Sequence, residues 1–349
     1  MKKSLITKII SAIFSLIILI AVAIGAILYF GLFEELTNAV IGMYHVNQGD
    51  KAYRKHNIPQ AIVYYKKGLD IYPKHYEAWT NLGNIYVVYE DYYSAVNAYE
   101  QAIKHKPTYT LARMNYGVIA TEKLGDFEQA IKQFQSIIDS KQKTWVIPFI
   151  FNSKKSERLN KGIAYYNMGV AYRQKAFYES ENLPLAEKDL QSAIRAYEKA
   201  LKVMPKDYNT IFNLASAYHA DGDTKKSAKM YCKAIALEPM NYEAHYNLAI
   251  LLRHLKMYRE AYGEIEKASL LATERGDVNS NSQSYVLDIL NDMSMTLISY
   301  NMLDKGQEDD KYQSSVTYVK GKLVATDELD KAILNNFKKC EAQDYINEE

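Results

Sequence analysis

Residues 79–107 read WTNLGNIYVVYEDYYSAVNAYEQAIKHKP, and the spacing inside this stretch decides the fold. Its marked positions are Trp79, Leu82, Gly83, Tyr86, Tyr92, Ala95, Tyr99, Ala102 and Pro107. Moving 34 residues back finds Gly49, Ile58, Ala61, Tyr65, Gly68 and Pro73 in register. Further on come Gly169, Tyr172, Ala193, Tyr197, Ala200 and Pro205, then Leu214, Tyr218, Tyr231, Ala234 and Pro239. A further unit keeps Leu248, Tyr258, Ala261 and Ala268. A weaker one from Thr110 carries Tyr116, Gly117, Phe127, Ala130 and Phe134, with one extra residue between its two helices. Self-similarity at a fixed period of this size is the mark of a solenoid. Small residues such as Gly83, Ala95 and Ala102 would let helices cross closely, with Tyr99 or Tyr197 to fill the gap beside them. Pro73, Pro107, Pro205 and Pro239 share one register position, where a residue lacking an amide donor closes the second helix.

These positions resemble the signature of the tetratricopeptide repeat (TPR), a helix-turn-helix unit. The resemblance covers about 42–275 and implies an all-α, right-handed TPR superhelix of about six repeats, near 42–75, 76–109, 110–143, 162–207, 208–241 and 242–275. Equivalent Asn residues step by 34, 34, 52, 46 and 34, so the units near 110–143 and 162–207 carry insertions. The first, 144–161, includes the apolar run Thr144–Phe151, read either as a loop folded onto helix ends or as a hook for a partner or lipid surface. The second, Phe177 to Asp189, lengthens both helices of its unit, with Glu179 to Glu187 polar enough for a solvated projection. Residues 284–303 read as an amphipathic capping helix for the open end of the stack. The stretch 304–349 reads as a polar tail with a possible terminal helix beginning at Thr326 or Asp327.

Composition agrees. At 349 residues and 48% hydrophobic, the chain is not a disordered one. The balance of 43 basic against 41 acidic residues argues against nucleic acid as a partner. Two cysteines, Cys232 and Cys340, make neither a disulfide framework nor a four-ligand zinc site. The 31 tyrosines are the odd number, and repeat positions absorb many of them.

Ile9 to Phe33 is 25 residues without a charge, long enough for a hydrocarbon core of about 30 Å. A cleaved signal peptide shares the basic start and apolar run, but the apolar run continues well past Ala21-Val22-Ala23. An uncleaved transmembrane helix over 9–33 is the expectation. Lys2, Lys3 and Lys8 precede it, whereas Glu34 and Glu35 follow, which leaves residues 1–8 in the cytoplasm and the repeats on the trans (periplasmic or extracytoplasmic) side.

Asn47, Asn81, Asn115, Asn167, Asn213 and Asn247 occupy the sixth position of every unit, on the helix that lines the concave face of such a superhelix. A column of carboxamides there resembles the asparagine ladder of the O-GlcNAc transferase repeat domain, which holds the backbone of an extended peptide. Each carboxamide offers a donor and an acceptor. The alternative is that the column only ties neighbouring helices together. Tyr166, Phe212 and Tyr246 at the fifth position, with Arg173 and Arg253 further along, would give a peptide aromatic anchors and cationic handles. The carboxylate clamp of chaperone-binding repeats is not matched, since Val46 and Asp50 stand where Lys and Asn are needed.

No phosphate loop, zinc-ligand spacing or nucleophile elbow is present, so neither catalysis nor a cofactor is expected. His245 and His254 read as partly exposed helix residues, and Cys232 as a small buried side chain. The functional expectation is a membrane-anchored scaffold or adaptor that holds peptide segments or partner subunits, in the assembly of membrane or envelope complexes. Bacterial inner-membrane repeat proteins resemble it in layout. The alternatives are an import or secretion receptor or chaperone-like accessory, or the non-catalytic part of an enzyme complex.

Overall fold

Helix boundaries follow the turn chemistry of the repeats. In a computed structural model, which describes residues 2–29, 31–140, 153–255, 258–274, 316–319 and 322–325, the chain forms two units, Met1–Leu124 and Gly125–Glu349. The first holds α1 (Lys2–Tyr29), α2 (Leu32–Arg54), α3 (Ile58–Ile71), α4 (Tyr76–Val88), α5 (Tyr92–His105) and α6 (Thr110–Ile119). The second holds α7 (Phe127–Asp139), α8 (Ser153–Tyr178), α9 (Leu183–Val203), α10 (Tyr208–Ala220), α11 (Thr224–Leu237), α12 (Tyr242–His254) and α13 (Tyr258–Glu274).

Short polar side chains start most of these helices. Asn57, Asp91, Asp126, Asp207 and Asp223 each accept a backbone N–H from the residue three positions on, satisfying a donor the helix itself leaves open. The register prolines set the ends. α3, α5, α9 and α11 stop two residues before Pro73, Pro107, Pro205 and Pro239. The residue between them leaves the helical region each time: Tyr72, Lys106, Met204 and Glu238 have φ from −136° to −122° and ψ from 70° to 81°. Clash with the proline ring disfavours the helical conformation just before it. The freed proline carbonyl is then taken up. Trp79 Nε1 donates to Pro73 O and Arg113 Nε to Pro107 O, both at 2.8 Å, and His245 Nε2 lies 3.1 Å from Pro239 O. All three donors stand at the fourth position of a repeat, a clip between turn and helix that the sequence pattern did not reveal.

The core is alanine and tyrosine. Tyr65, Tyr99, Tyr197 and Tyr231 are fully buried, with Phe134 in the same register. A Cβ added at Gly83 would lie 2.6 Å from Tyr99 Cε1, and one at Gly169 2.6 Å from Tyr197 Cε1. Overpacking of this kind costs up to about 3 kcal/mol, against about 1 kcal/mol that alanine gains over glycine within a helix. Gly83→Ala should therefore lower stability by about 2 kcal/mol in urea denaturation.

Several expectations change in detail. The helix expected over 9–33 closes at Tyr29, because Gly31 adopts a left-handed conformation (φ 68°) and turns the chain into α2, so Phe33 lies beyond the break. Ile10–Tyr29, with mean hydropathy 2.8, is long and apolar enough to cross a bilayer. The extra residue of the third repeat is absorbed in a π-helical turn, Ala120–Leu124, which widens the ring of one turn. Residues 153–161, assigned to an insertion, form the first turns of α8. The tail contains strands, not helix alone: β1 (Val316–Val319) pairs antiparallel with β2 (Lys322–Ala325), Val316 opposite Ala325. Two residues, Lys320 and Gly321, separate runs rich in Val, Tyr and Leu, a hairpin signal that periodicity at 34 residues hides. Thr144–Phe151, the capping helix 284–303 and the terminal helix from Thr326 lie outside the described residues.

Candidate functional site

The asparagine column behaves differently in the two units. In the first, Asn81 Nδ2 donates to Asp50 Oδ1 (3.5 Å), which also accepts from Tyr65 Oη (2.5 Å). One repeat on, Asn115 Nδ2 donates to Asn84 Oδ1 (2.7 Å), which accepts from Tyr99 Oη (2.8 Å). The same three positions, sixth, ninth and the second-helix tyrosine, thus join consecutive repeats. Burial pushes the Tyr99 phenol up to about 12, and burial with the Asp50 carboxylate raises Tyr65 further. Asn47 is exposed on α2.

In the second unit the ninth position is Val170, Ser216 and Ile250, so two of these three offer no polar side chain. Asn213 Nδ2 turns back to Asn209 O of its own helix (2.9 Å), with Tyr166 Oη at 3.4 Å, and Asn247 Nδ2 donates to Glu243 O (2.8 Å). Asn167 is half-buried on α8. Alanine at Asn81 or Asn115 should therefore lower stability by about 0.5–1.5 kcal/mol each, as a lost inter-repeat hydrogen bond. Alanine at Asn213 or Asn247 should change it little, because those carbonyls already serve their helices; urea denaturation of the four variants distinguishes the two groups.

Tyr166, Phe212 and Tyr246 are half-buried on α8, α10 and α12. Tyr166 lies 6.0 Å from the ring of Tyr197, and Phe212 packs edge-on against Tyr231 at 5.9 Å and stacks on Tyr208. Arg173 and Arg253 are half-buried as well. Arg173 Nη1 reaches Ser216 Oγ at 3.4 Å. Beside it opens a cavity of about 750 Å³ between α8, α9 and α10, lined by Arg173, Phe177, Leu183, Ala186, Leu190 and Ser216 among others.

The walls of this cavity come from the lengthened ends of α8 and α9, where a solvated projection was expected. The polar residues there are tied down: Lys175 Nζ contacts Glu128 (3.0 Å), Asp189 (3.3 Å) and Glu179 (3.8 Å), with Asp189 buried. The hydrogen bond from Lys175 holds the Glu128 carboxyl below its ordinary range. The apolar residues are left outside instead, Phe177 78%, Tyr178 73% and Leu183 73% exposed.

Histidine placement also differs from expectation. His245 is buried, 2.6 Å from Glu264 Oε2, while His254 is exposed and 3.2 Å from His219 Nε2. Cys232 is buried, as read from the sequence, and burial, aided by the Glu264 carboxylate, pushes its thiol up to about 12. A thiolate nucleophile at this position is disfavoured accordingly. Among the described residues no group of three or more His, Cys, Asp or Glu is placed to hold a metal.

Two stretches match family models of the tetratricopeptide repeat, residues 76–109 and 208–241. The chain carries tetratricopeptide repeats. Its repeats are 33% identical over 85 residues to the general transcriptional corepressor ssn6 of Schizosaccharomyces pombe, covering 24% of this chain and 8% of that protein. They are 26% identical over 176 residues to the heat shock protein sti1 homolog of the same organism, covering 49% of this chain and 29% of that one. The chain thus spans less than a third of the length of these curated relatives. Among solved structures, PilW, described as a widely conserved type IV pilus biogenesis factor, aligns with a TM-score of 0.50 at 15% identity, over 70% of this chain and 98% of that one. The likeness concerns the fold.

Proposed function

We propose that the chain is a scaffold that holds a peptide segment or partner subunit against α8, α10 and α12, and that α1 anchors it to a membrane. The observation that carries this is the run of half-buried aromatic and amide side chains along those first helices, Tyr166, Asn167, Phe212, Asn213, Tyr246 and Asn247, next to a cavity of about 750 Å³. Large amphipathic side chains that are neither fully packed nor fully solvated are the usual material of peptide-binding surfaces. In the first unit the carboxamides of Asn81 and Asn115 are engaged between repeats, so binding is assigned to the second unit.

In this proposal the repeats lie on the trans side of the membrane, a reading supported by Lys2, Lys3 and Lys8 before the apolar run and Glu34 and Glu35 after it, and they would serve assembly of a membrane or envelope complex. Single cysteines added on either side of α1, in a background lacking Cys232 and Cys340, should be labelled from the trans side when placed in the repeats. Labelling from the cytoplasm would sink that topology. For the partner, a photoreactive residue at Phe212 should crosslink to a polypeptide in cells. Crosslinks only to lipid, or none at any of Tyr166, Phe212 and Tyr246, would overturn the scaffold reading.

A further inference from the structure

In the second unit Arg173 Nε is a buried donor without a hydrogen-bond partner among the described residues. The Arg173 guanidinium lies against the Tyr197 phenol: burial pushes that phenol up, and the charge and a hydrogen bond of Arg173 oppose the push. Buried polar groups are almost always paired, so an orphan beside a cavity asks what completes it. Arg173 lines the cavity between α8, α9 and α10, and its hydrogen bond to Ser216 is long, at 3.4 Å. The two carboxylates on the same cavity do not complete it. Asp221 accepts from Gln191 Nε2, and Glu187 is an exposed side chain of α9. Apart from Gln174 the rest of the lining is aliphatic or aromatic, and the exposed Phe177, Tyr178 and Leu183 extend it outward as a rim.

A volume of about 750 Å³, apolar walls and one cationic donor group describe a specific kind of guest. Pockets of about 300–1,000 Å³ take drug-sized groups, with apolar area for attachment and a few polar atoms for orientation. We infer that this cavity binds a partner peptide in which an Asp or Glu side chain stands next to a bulky aliphatic or aromatic residue. The carboxylate accepts from Arg173, and the apolar neighbour is covered by Leu183, Leu190 and Phe177. The guanidinium fork favours a planar carboxylate over an amide of the same shape. This rests on the scaffold reading and adds to it a ligand chemistry and a place.

The test uses the full chain in detergent micelles and two fluorescent dodecapeptides with both ends blocked, identical except for a Leu-Phe-Glu-Leu or Leu-Phe-Gln-Leu core. The glutamate peptide should bind at least tenfold more tightly than the glutamine peptide, a preference that Arg173→Gln abolishes and Arg173→Lys partly restores. Phe177→Ser combined with Leu183→Ser should weaken both peptides alike. These rim residues are exposed, so the double variant should keep the thermal unfolding of the parent, and it remains informative if Arg173→Gln does not fold. Equal affinity for the two peptides, or a preference that survives Arg173→Gln, would overturn the proposal. Tight binding of laurate without either peptide would overturn it in favour of a fatty-acid pocket. Binding that appears only after removal of residues 341–349 would overturn it in favour of the chain's own acidic end. A Phe212 crosslink to a polypeptide that persists unchanged in Arg173→Gln would leave the scaffold reading standing while this cavity falls.

Discussion

His245→Ala should destabilise the second unit by about 3 kcal/mol or more, because it strands a buried carboxylate. Glu264 is fully buried on α13; its Oε2 lies 2.6 Å from His245 Nδ1, and its Oε1 accepts from Lys267 Nζ at 3.1 Å. The opposite nitrogen of His245 faces Pro239 O at 3.1 Å, so the imidazole is held from both sides. Removing it leaves Glu264 with Lys267, which is partly exposed, as its remaining counter-charge. Breaking one partner of a buried pair costs about 3–5 kcal/mol, and the surviving lysine contact puts the expectation at the lower end. Replacing both residues by apolar ones of similar volume, His245→Leu with Glu264→Met, should recover most of the loss, since the desolvation cost of the pair disappears with it. Urea denaturation of the three proteins measures this, and a loss below about 1 kcal/mol for His245→Ala would show the pair to be hydrated.

The repeat frame was legible because it rests on spacing. Small residues at helix crossings, a tyrosine facing them and a proline after the second helix recur at one period, and each has a local cause that a sequence displays. The stopping of α3, α5, α9 and α11 two residues before their prolines is the plainest case. What escaped depends on partners set by tertiary approach. His245 looked like a surface histidine because Glu264 is 19 residues away on the next helix. The links Asp50–Tyr65–Asn81 and Asn84–Tyr99–Asn115 join residues 15 and 31 apart, and only the position-six asparagines stood out as a column. The cavity was hidden for a related reason. Phe177 and Leu183 stand in a polar stretch, and Lys175 gathering Glu128, Glu179 and Asp189 is what leaves them at the rim. The switch at position nine from Asp50 and Asn84 to Val170 and Ile250 was visible in the sequence, yet its consequence for the asparagines was not.

Tyr99→Ala should cost about 3–5 kcal/mol, the range of emptying a large aromatic site in a close-packed core. The ring is buried at 1% exposure against Gly83, which has no side chain to move into the gap. Its neighbours Ala95 and Ala102 are equally small, so collapse of the site would require the helices themselves to shift. The hydroxyl adds a separable part. Tyr99→Phe keeps the ring and removes the donor to Asn84, leaving Asn115 as the remaining partner of that oxygen, and should cost about 0.5–1.5 kcal/mol. At the equivalent position of the second unit, Tyr197 Oη has no asparagine partner and lies beside the Arg173 guanidinium, so Tyr197→Phe removes no link between repeats and should cost less than Tyr99→Phe in the absence of ligand. If Tyr197→Phe instead cost as much as Tyr99→Phe, the two tyrosines would be fillers of one kind with the same bonding, and the division between a laterally bonded first unit and an open second one would fail.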